Sequence, residues 1–149
     1  DIAIAMNEPL GIVGIVAPQD APLLGFVSLL APVIATGNRA VIIPSDVAPL
    51  AATDFYQVLE TSDVPAGVVN IVTGEHDVLT PTLAEHEEVA GLWYFGKAGG
   101  VADVKTASTS NLKQVFSHNE QQTDWANAYG RRFMEKATQV KNIWVPYGA

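Results

Sequence analysis

The 149-residue sequence contains no cysteine. That excludes disulfides and any reaction opened by a cysteine thiolate, the ionised form that makes the thiol a nucleophile. Basic residues are scarce too: eight Lys and Arg against sixteen Asp and Glu leave a net charge of −8. Without a basic face to neutralise phosphates, nucleic acid and anionic membranes are poor partners. Long apolar runs are also lacking. Residues 31–43 and their approaches are broken by Pro22, Pro32, Gly37, Asn38 and Arg39, and a membrane-spanning helix needs about 20 uninterrupted apolar residues. No signal peptide is read at the start, Asp1, so targeting is left to any longer polypeptide and the expected compartment is cytoplasmic.

What is there is enough apolar material for one core, with 48% hydrophobic and 16% charged residues. Residues 13–16, 40–43, 68–72 and 92–95 are short apolar runs bounded by Gly, Pro or Asn, the pattern of strands covered on both faces. Between them, 22–36 reads as a largely buried helix stopped by Gly37-Asn38. Residues 48–61 carry a one-sided stripe of Leu50, Phe55, Val58 and Leu59, and 77–86 gives a shorter helix. Strands alternating with helices predict an α/β fold, a doubly wound parallel sheet of about five strands with right-handed crossovers.

Beyond Gly96 the apolar density falls until 112–116, read as one more strand, and 117–123 is a polar break. Then Trp125, Tyr129, Phe133 and Ala137 recur every four residues, the spacing of one helix face. Val140, Ile143 and Val145 mark a terminal strand.

Several segments carry a family resemblance. Glu8-Pro9-Leu10-Gly11-Ile12-Val13-Gly14, Ala35-Thr36-Gly37-Asn38 and Pro65-Ala66-Gly67-Val68-Val69-Asn70-Ile71-Val72-Thr73-Gly74 stand in fixed order over about 65 residues. Together they resemble the cofactor domain of aldehyde dehydrogenases, which implies a Rossmann-like fold and an ancestry in NAD- or NADP-dependent aldehyde oxidation.

At the chemical positions the resemblance breaks. Asp20, in Pro18-Gln19-Asp20-Ala21-Pro22, stands where the family has an Asn whose amide holds an oxyanion; an ionised carboxylate accepts and cannot donate. Ile43-Pro44-Ser45-Asp46 stands where the family grips a ribose with Lys and Glu. Asp46 can still accept from a hydroxyl, but loss of the charged donor forfeits roughly 1.5–3 kcal/mol. Phe95-Gly96-Lys97-Ala98-Gly99-Gly100 resembles the family's phosphate turn, with Lys97 where Ser is usual. Asn111-Leu112-Lys113-Gln114-Val115 resembles the lead-in to the general-base strand, without its Glu motif; His118 sits near the missing Glu.

Tyr129-Gly130-Arg131-Arg132-Phe133 and Thr138-Gln139-Val140-Lys141-Asn142-Ile143-Trp144-Val145 resemble the family's extreme C-terminus, a helix and an oligomerisation strand. The nucleophile-bearing domain that ordinarily lies between is not represented. This arrangement is similar to the degenerate second module of tandem aldehyde dehydrogenases, the group called family sixteen.

The resemblance therefore implies a cofactor-domain scaffold over 1–116, a linker over 117–123 and an assembly helix and strand over 124–149. Assembly would fall to Trp125, Tyr129, Phe133, Val140, Ile143 and Val145, against the catalytic unit of the same polypeptide or a second subunit in a homo-oligomer. No catalysis is expected of this chain alone, and no cofactor; if a dinucleotide, NAD or NADP, is retained, the residues to hold it are Ser45, Asp46 and Gly96. Alternatively the module contributes to the active site of an upstream unit. Plainer roles stand beside these: Asp20 as a helix N-cap, the glycines as turns, His118 as a solvated loop residue, and Trp125, Tyr129 and Phe133 as core. His86-Glu87-Glu88-Val89-Ala90 begins like a zinc-protease helix, but Ala90 stands where the second His is needed; Glu85, Glu87 and Glu88 read as a solvated face.

Overall fold

The runs read as strands do form them, because four or five β-branched or aromatic residues between turn formers are too few for a helix and fit a pleated surface. The computed structural model describes residues 1–117 and 123–146. β2 (Ile12–Val16), β3 (Arg39–Ile43), β4 (Val69–Ile71), β5 (Gly91–Tyr94) and β6 (Gln114–Ser117) make one five-stranded sheet in the order β4-β3-β2-β5-β6. Every pairing in it is parallel. The chain starts in the middle of this sheet, winds to one edge, and returns across the middle to the other, as expected of a doubly wound fold.

The two faces have separate cores. On one, α1 (Pro22–Ala35), α2 (Leu50–Asp54), α3 (Tyr56–Thr61) and α6 (Arg131–Lys136) bury Phe26, Leu29, Leu30, Val33, Leu59 and Phe133 against Val13, Ile15 and Ile42. On the other, α4 (His76–Glu85) and α5 (Val101–Ala107) bury Leu83, Ala84 and Val104 against Val16, Ile43, Leu92 and Tyr94. Each large apolar side chain so buried contributes about 1.5–3 kcal/mol.

The structure corrects several expectations. Helix 48–61 is two pieces interrupted at Phe55, and its buried stripe is Ala52, Phe55 and Leu59; Leu50 and Val58 face solvent. Asp20 does not cap α1: the cap position is Ala21, with no side-chain bond, and Asp20 is exposed. α5 occupies a stretch that reads as featureless in the sequence.

The aromatic stripe is not one helix face. Trp125–Asn127 is a 3-10 turn capped by Asp124, which accepts from the Ala126 N–H, and α6 starts only at Arg131. Gly130 separates them with φ +106 and ψ −171, a conformation essentially reserved for glycine. Trp125, Phe133 and Ala137 are buried in this chain's own core, while Tyr129 is exposed.

The terminal strand is longer than expected, and its pairing corrects a second reading. β7 (Thr138–Val145) pairs antiparallel with β1 (Ile2–Pro9), which the sequence did not reveal as a strand. One edge of β7 is thus satisfied within the chain. The two form a separate ribbon with both faces largely exposed.

Candidate functional site

In open parallel sheets the crevice for a ligand lies beyond the strand carboxyl ends, where the winding reverses. Here that point lies between β2 and β5. The residues following β2 are Ala17, Pro18 and Gln19; those following β5 are Phe95 and Gly96.

On the α1 face this crevice is filled. The Trp125 ring stands 5.4 Å from that of Phe95, and it lies against Gly25 in the first turn of α1. Phe95 also meets Phe116 edge-on at 5.5 Å, and Phe133 at 6.3 Å. Such offset aromatic contacts add to the gain from area alone.

On the opposite face a cleft of about 300 Å³ opens between α4 and α5. Its walls carry His76, Asp77, Thr80, Tyr94 and Asp103, and Pro81, Ala84, Val104 and Ala107 make it largely apolar. Lys97 bridges to Asp77 at 3.3 Å, both side chains well exposed. Such a pair is screened by water and contributes at most about 1 kcal/mol.

Behind the cleft is a buried polar cluster that sequence reasoning missed. Ser45, fully buried, donates its hydroxyl to Gln19 Oε1 at 2.7 Å and accepts from the Ala48 N–H at 3.3 Å. Gln19 Nε2 lies 3.1 Å from His76 Nδ1, and His76 Nε2 lies 2.7 Å from the Pro44 carbonyl oxygen. The carbonyl can only accept, so the ring proton sits on Nε2 and Nδ1 accepts from the Gln19 amide. The cluster locks the ends of β2, β3 and α4 together. Its one sequence signal was Gln19, polar beside an apolar strand.

The residues expected to hold a dinucleotide are dispersed around this cluster. Ser45 is buried with its hydroxyl engaged. Asp46 is exposed, and its carboxylate accepts from the His76 N–H at 3.4 Å, at the start of α4. Gly96 is buried, and its glycine character serves packing: an added Cβ would lie 2.9 Å from the Tyr94 ring. Gly100 is likewise pressed by the Tyr94 hydroxyl, which donates to the Lys97 carbonyl at 3.0 Å. Tyr94, not an open cradle, fills the turn. Ile43 is buried in the apolar core, and the acidic walls repel phosphate. The donor set does not fit a dinucleotide. His118 lies outside the described residues, as does most of the 117–123 linker. Among the described residues no group of acidic or His side chains is placed to hold a metal ion, and no helix is long and apolar enough to cross a membrane.

At the far end of α4, Lys113 is buried and donates through Nζ to the carbonyl oxygens of Ala84 and, at 2.9 Å, His86. Loss of solvation pushes its pKa below 10.5, and the nearby Glu87 carboxylate partly offsets that.

Sheet order and switch-point cleft define the class: a Rossmann-like α/β domain of the dinucleotide-binding type. The family model described as Aldehyde dehydrogenase family matches residues 1–118, and the chain belongs to that family. It is 33% identical to 2-hydroxymuconic semialdehyde dehydrogenase of Pseudomonas putida over 111 residues, 74% of this chain and 23% of the relative. Over 116 residues it is 33% identical to cytosolic 10-formyltetrahydrofolate dehydrogenase of Mus musculus, 77% of this chain and 13% of that protein. A solved indole-3-acetaldehyde dehydrogenase complexed with NAD+ superposes with a TM-score of 0.74 at 29% identity, over 77% of this chain and 23% of that one. The chain thus spans a quarter or less of the length of these relatives.

Proposed function

We propose that this chain is a non-catalytic aldehyde-dehydrogenase-like module whose role is assembly. The observation that carries the reading is the β1–β7 ribbon. Residues directly opposite in an antiparallel pair share a face, so Ile2 with Val145 and Ile4 with Ile143 form one apolar patch, followed by Met6 beside Lys141. Ile2, Ile4 and Val145 remain about half exposed. A lone two-stranded ribbon is marginal in water, and a further strand or an apolar face laid on it would complete it. The missing cysteine nucleophile, together with Asp20 and Ile43 at chemical positions, supports the non-catalytic part.

Its partner in this reading is the catalytic unit of the same polypeptide, in the manner of a tandem family-sixteen protein, or a second subunit of a homo-oligomer; the setting is cytoplasmic. Residues 124–149 divide the work. Trp125 and Phe133 anchor the tail to the domain, while Tyr129, Ile143 and Val145 face the partner and Val140 lies on the other face of the ribbon. The test is light-scattering size analysis of the full polypeptide carrying Ile4→Lys with Val145→Lys, beside one lacking residues 141–149. Both should shift the oligomer toward smaller species or lower its solubility. An unchanged oligomer in both would overturn the reading.

A further inference from the structure

Nothing in an assembly role uses the buried histidine of this chain. His76, only 5% exposed, opens α4. Its Nε2 donates to the Pro44 carbonyl oxygen at 2.7 Å, and the Gln19 side-chain nitrogen lies 3.1 Å from Nδ1 and 3.4 Å from Nε2. The other end of that amide, Oε1, accepts from the Ser45 hydroxyl at 2.7 Å and from the Val47 N–H at 3.5 Å. Ser45 Oγ in turn accepts from the Ala48 N–H at 3.3 Å. Hydrogen bonds thus run without a break from the ring to residues 44–49, the segment that leads from β3 into α2.

The charge on the ring decides which way the amide points. A neutral ring with its proton on Nε2 offers a lone pair at Nδ1 and attracts an N–H. An imidazolium is a donor at both nitrogens, so it repels the amide nitrogen and attracts the amide oxygen. We propose that His76 and Gln19 form a proton-operated switch: when the ring takes up a proton, the Gln19 amide turns over and loosens the segment that starts α2.

The proton comes from solvent and rests on Nδ1, facing Gln19 Oε1. Inversion then reverses the bonds beyond. Gln19 Nε2 meets the Val47 N–H, a donor against a donor, and a Ser45 oxygen that already accepts from Ala48. The hydroxyl proton of the fully buried Ser45 loses its acceptor, and a buried polar group without a partner is costly.

Carboxylates from several elements surround the ring. Asp46, in the segment itself, accepts from the His76 N–H at 3.4 Å. Glu75 and Asp77 flank His76 in the chain, and Asp103 of α5 stands across the cleft. Asp20 follows Gln19 after β2. After β5, Lys97 is held by Asp77 at 3.3 Å, and the Tyr94 hydroxyl is turned to the Lys97 carbonyl.

The experiment is NMR of the intact chain between about pH 8 and about pH 5, the range in which imidazoles change charge. The His76 Nδ1 signal should pass from unprotonated to protonated, and the Gln19 side-chain amide and the Val47 and Ala48 N–H signals should shift with the same midpoint. Hydrogen exchange at Val47 and Ala48, corrected for the intrinsic effect of pH, should quicken about tenfold across it. Gln19→Glu puts an acceptor at both ends. It should raise the His76 midpoint by about one pH unit and leave the corrected exchange at Val47 and Ala48 equal on both sides of it. An Nδ1 still unprotonated at about pH 5 would overturn the proposal. So would a ring that titrates while the Gln19 amide stays unmoved, or a Gln19→Glu variant that quickens as the parent does. If that variant does not fold, the Gln19 amide of the parent decides alone. These readouts are local to one chain, so they stand or fall apart from the assembly reading.

Discussion

The side-chain amide of Asn38 donates to the Ala137 carbonyl oxygen at 2.8 Å, joining positions 99 residues apart. The same amide donates to the Val33 carbonyl and the Thr36 hydroxyl, and its oxygen accepts from the Gly11 N–H at 2.9 Å. One buried side chain thereby closes the end of α1, the turn into β2 and the end of α6. It is a polar link between the tail and the sheet domain.

Asn38→Ala should therefore leave the Gly11 N–H and the Ala137 carbonyl without their side-chain partner. Ala137 is buried, and an unsatisfied buried group costs about 1–3 kcal/mol, whereas the N–H of the exposed Gly11 can turn to water, so the expected loss is about 1–3 kcal/mol. Urea unfolding should show a lower midpoint at an unchanged slope.

At Gly130 the cost is conformational alone, because nothing lies within 4 Å of where a Cβ would stand. Gly130→Ala should destabilise by about 1–3 kcal/mol, since φ +106 with ψ −171 is strained for any L side chain. Thermal unfolding measures it; no loss of Tm would mean the turn relaxes freely.

Gln19→Leu keeps the approximate volume but strips Ser45 of its acceptor and His76 of its donor. The expected loss is about 2–3 kcal/mol, and the amide signals of α4 should broaden or exchange faster as its start loosens.

Lys113 gives a pH signature. Its folded pKa lies below the ordinary 10.5 because burial disfavours the charged form. As pH rises between those two values, the folded protein releases this proton while the unfolded chain still holds it. The unfolded state then binds more protons, so the contribution of this group to stability increases with pH. Urea unfolding at about pH 7 and about pH 10 should show that rise in the parent relative to Lys113→Met; a difference constant with pH would contradict it.

Much of the sheet was legible because a buried parallel strand needs only a short apolar run between turn residues. Val13, Ile15 and Val16 in β2, and Leu92 and Trp93 in β5, all declare themselves in that way. β1 was not legible. Ile2, Ala3, Ile4, Ala5 and Met6 sit on an exposed ribbon, so their alternation carries no burial pattern to read. Of the candidate site, Asp46 and Gly96 could be located from sequence order, whereas Gln19 and His76 meet only through the fold, 57 residues apart. The stripe of Trp125, Tyr129 and Phe133 misled because its spacing is helical while Gly130 turns the chain between its members.

By itself, then, the sequence determined the family, the alternation of strands and helices, and the loss of thiolate chemistry, since these depend on local patterns and on which side chains exist. Only the tertiary structure decided that β7 pairs with β1, that Trp125 closes the crevice, and that Gly96 makes room for Tyr94. Strand pairing and aromatic packing join residues far apart in the chain, and their energies exist only once the backbone has brought those residues together.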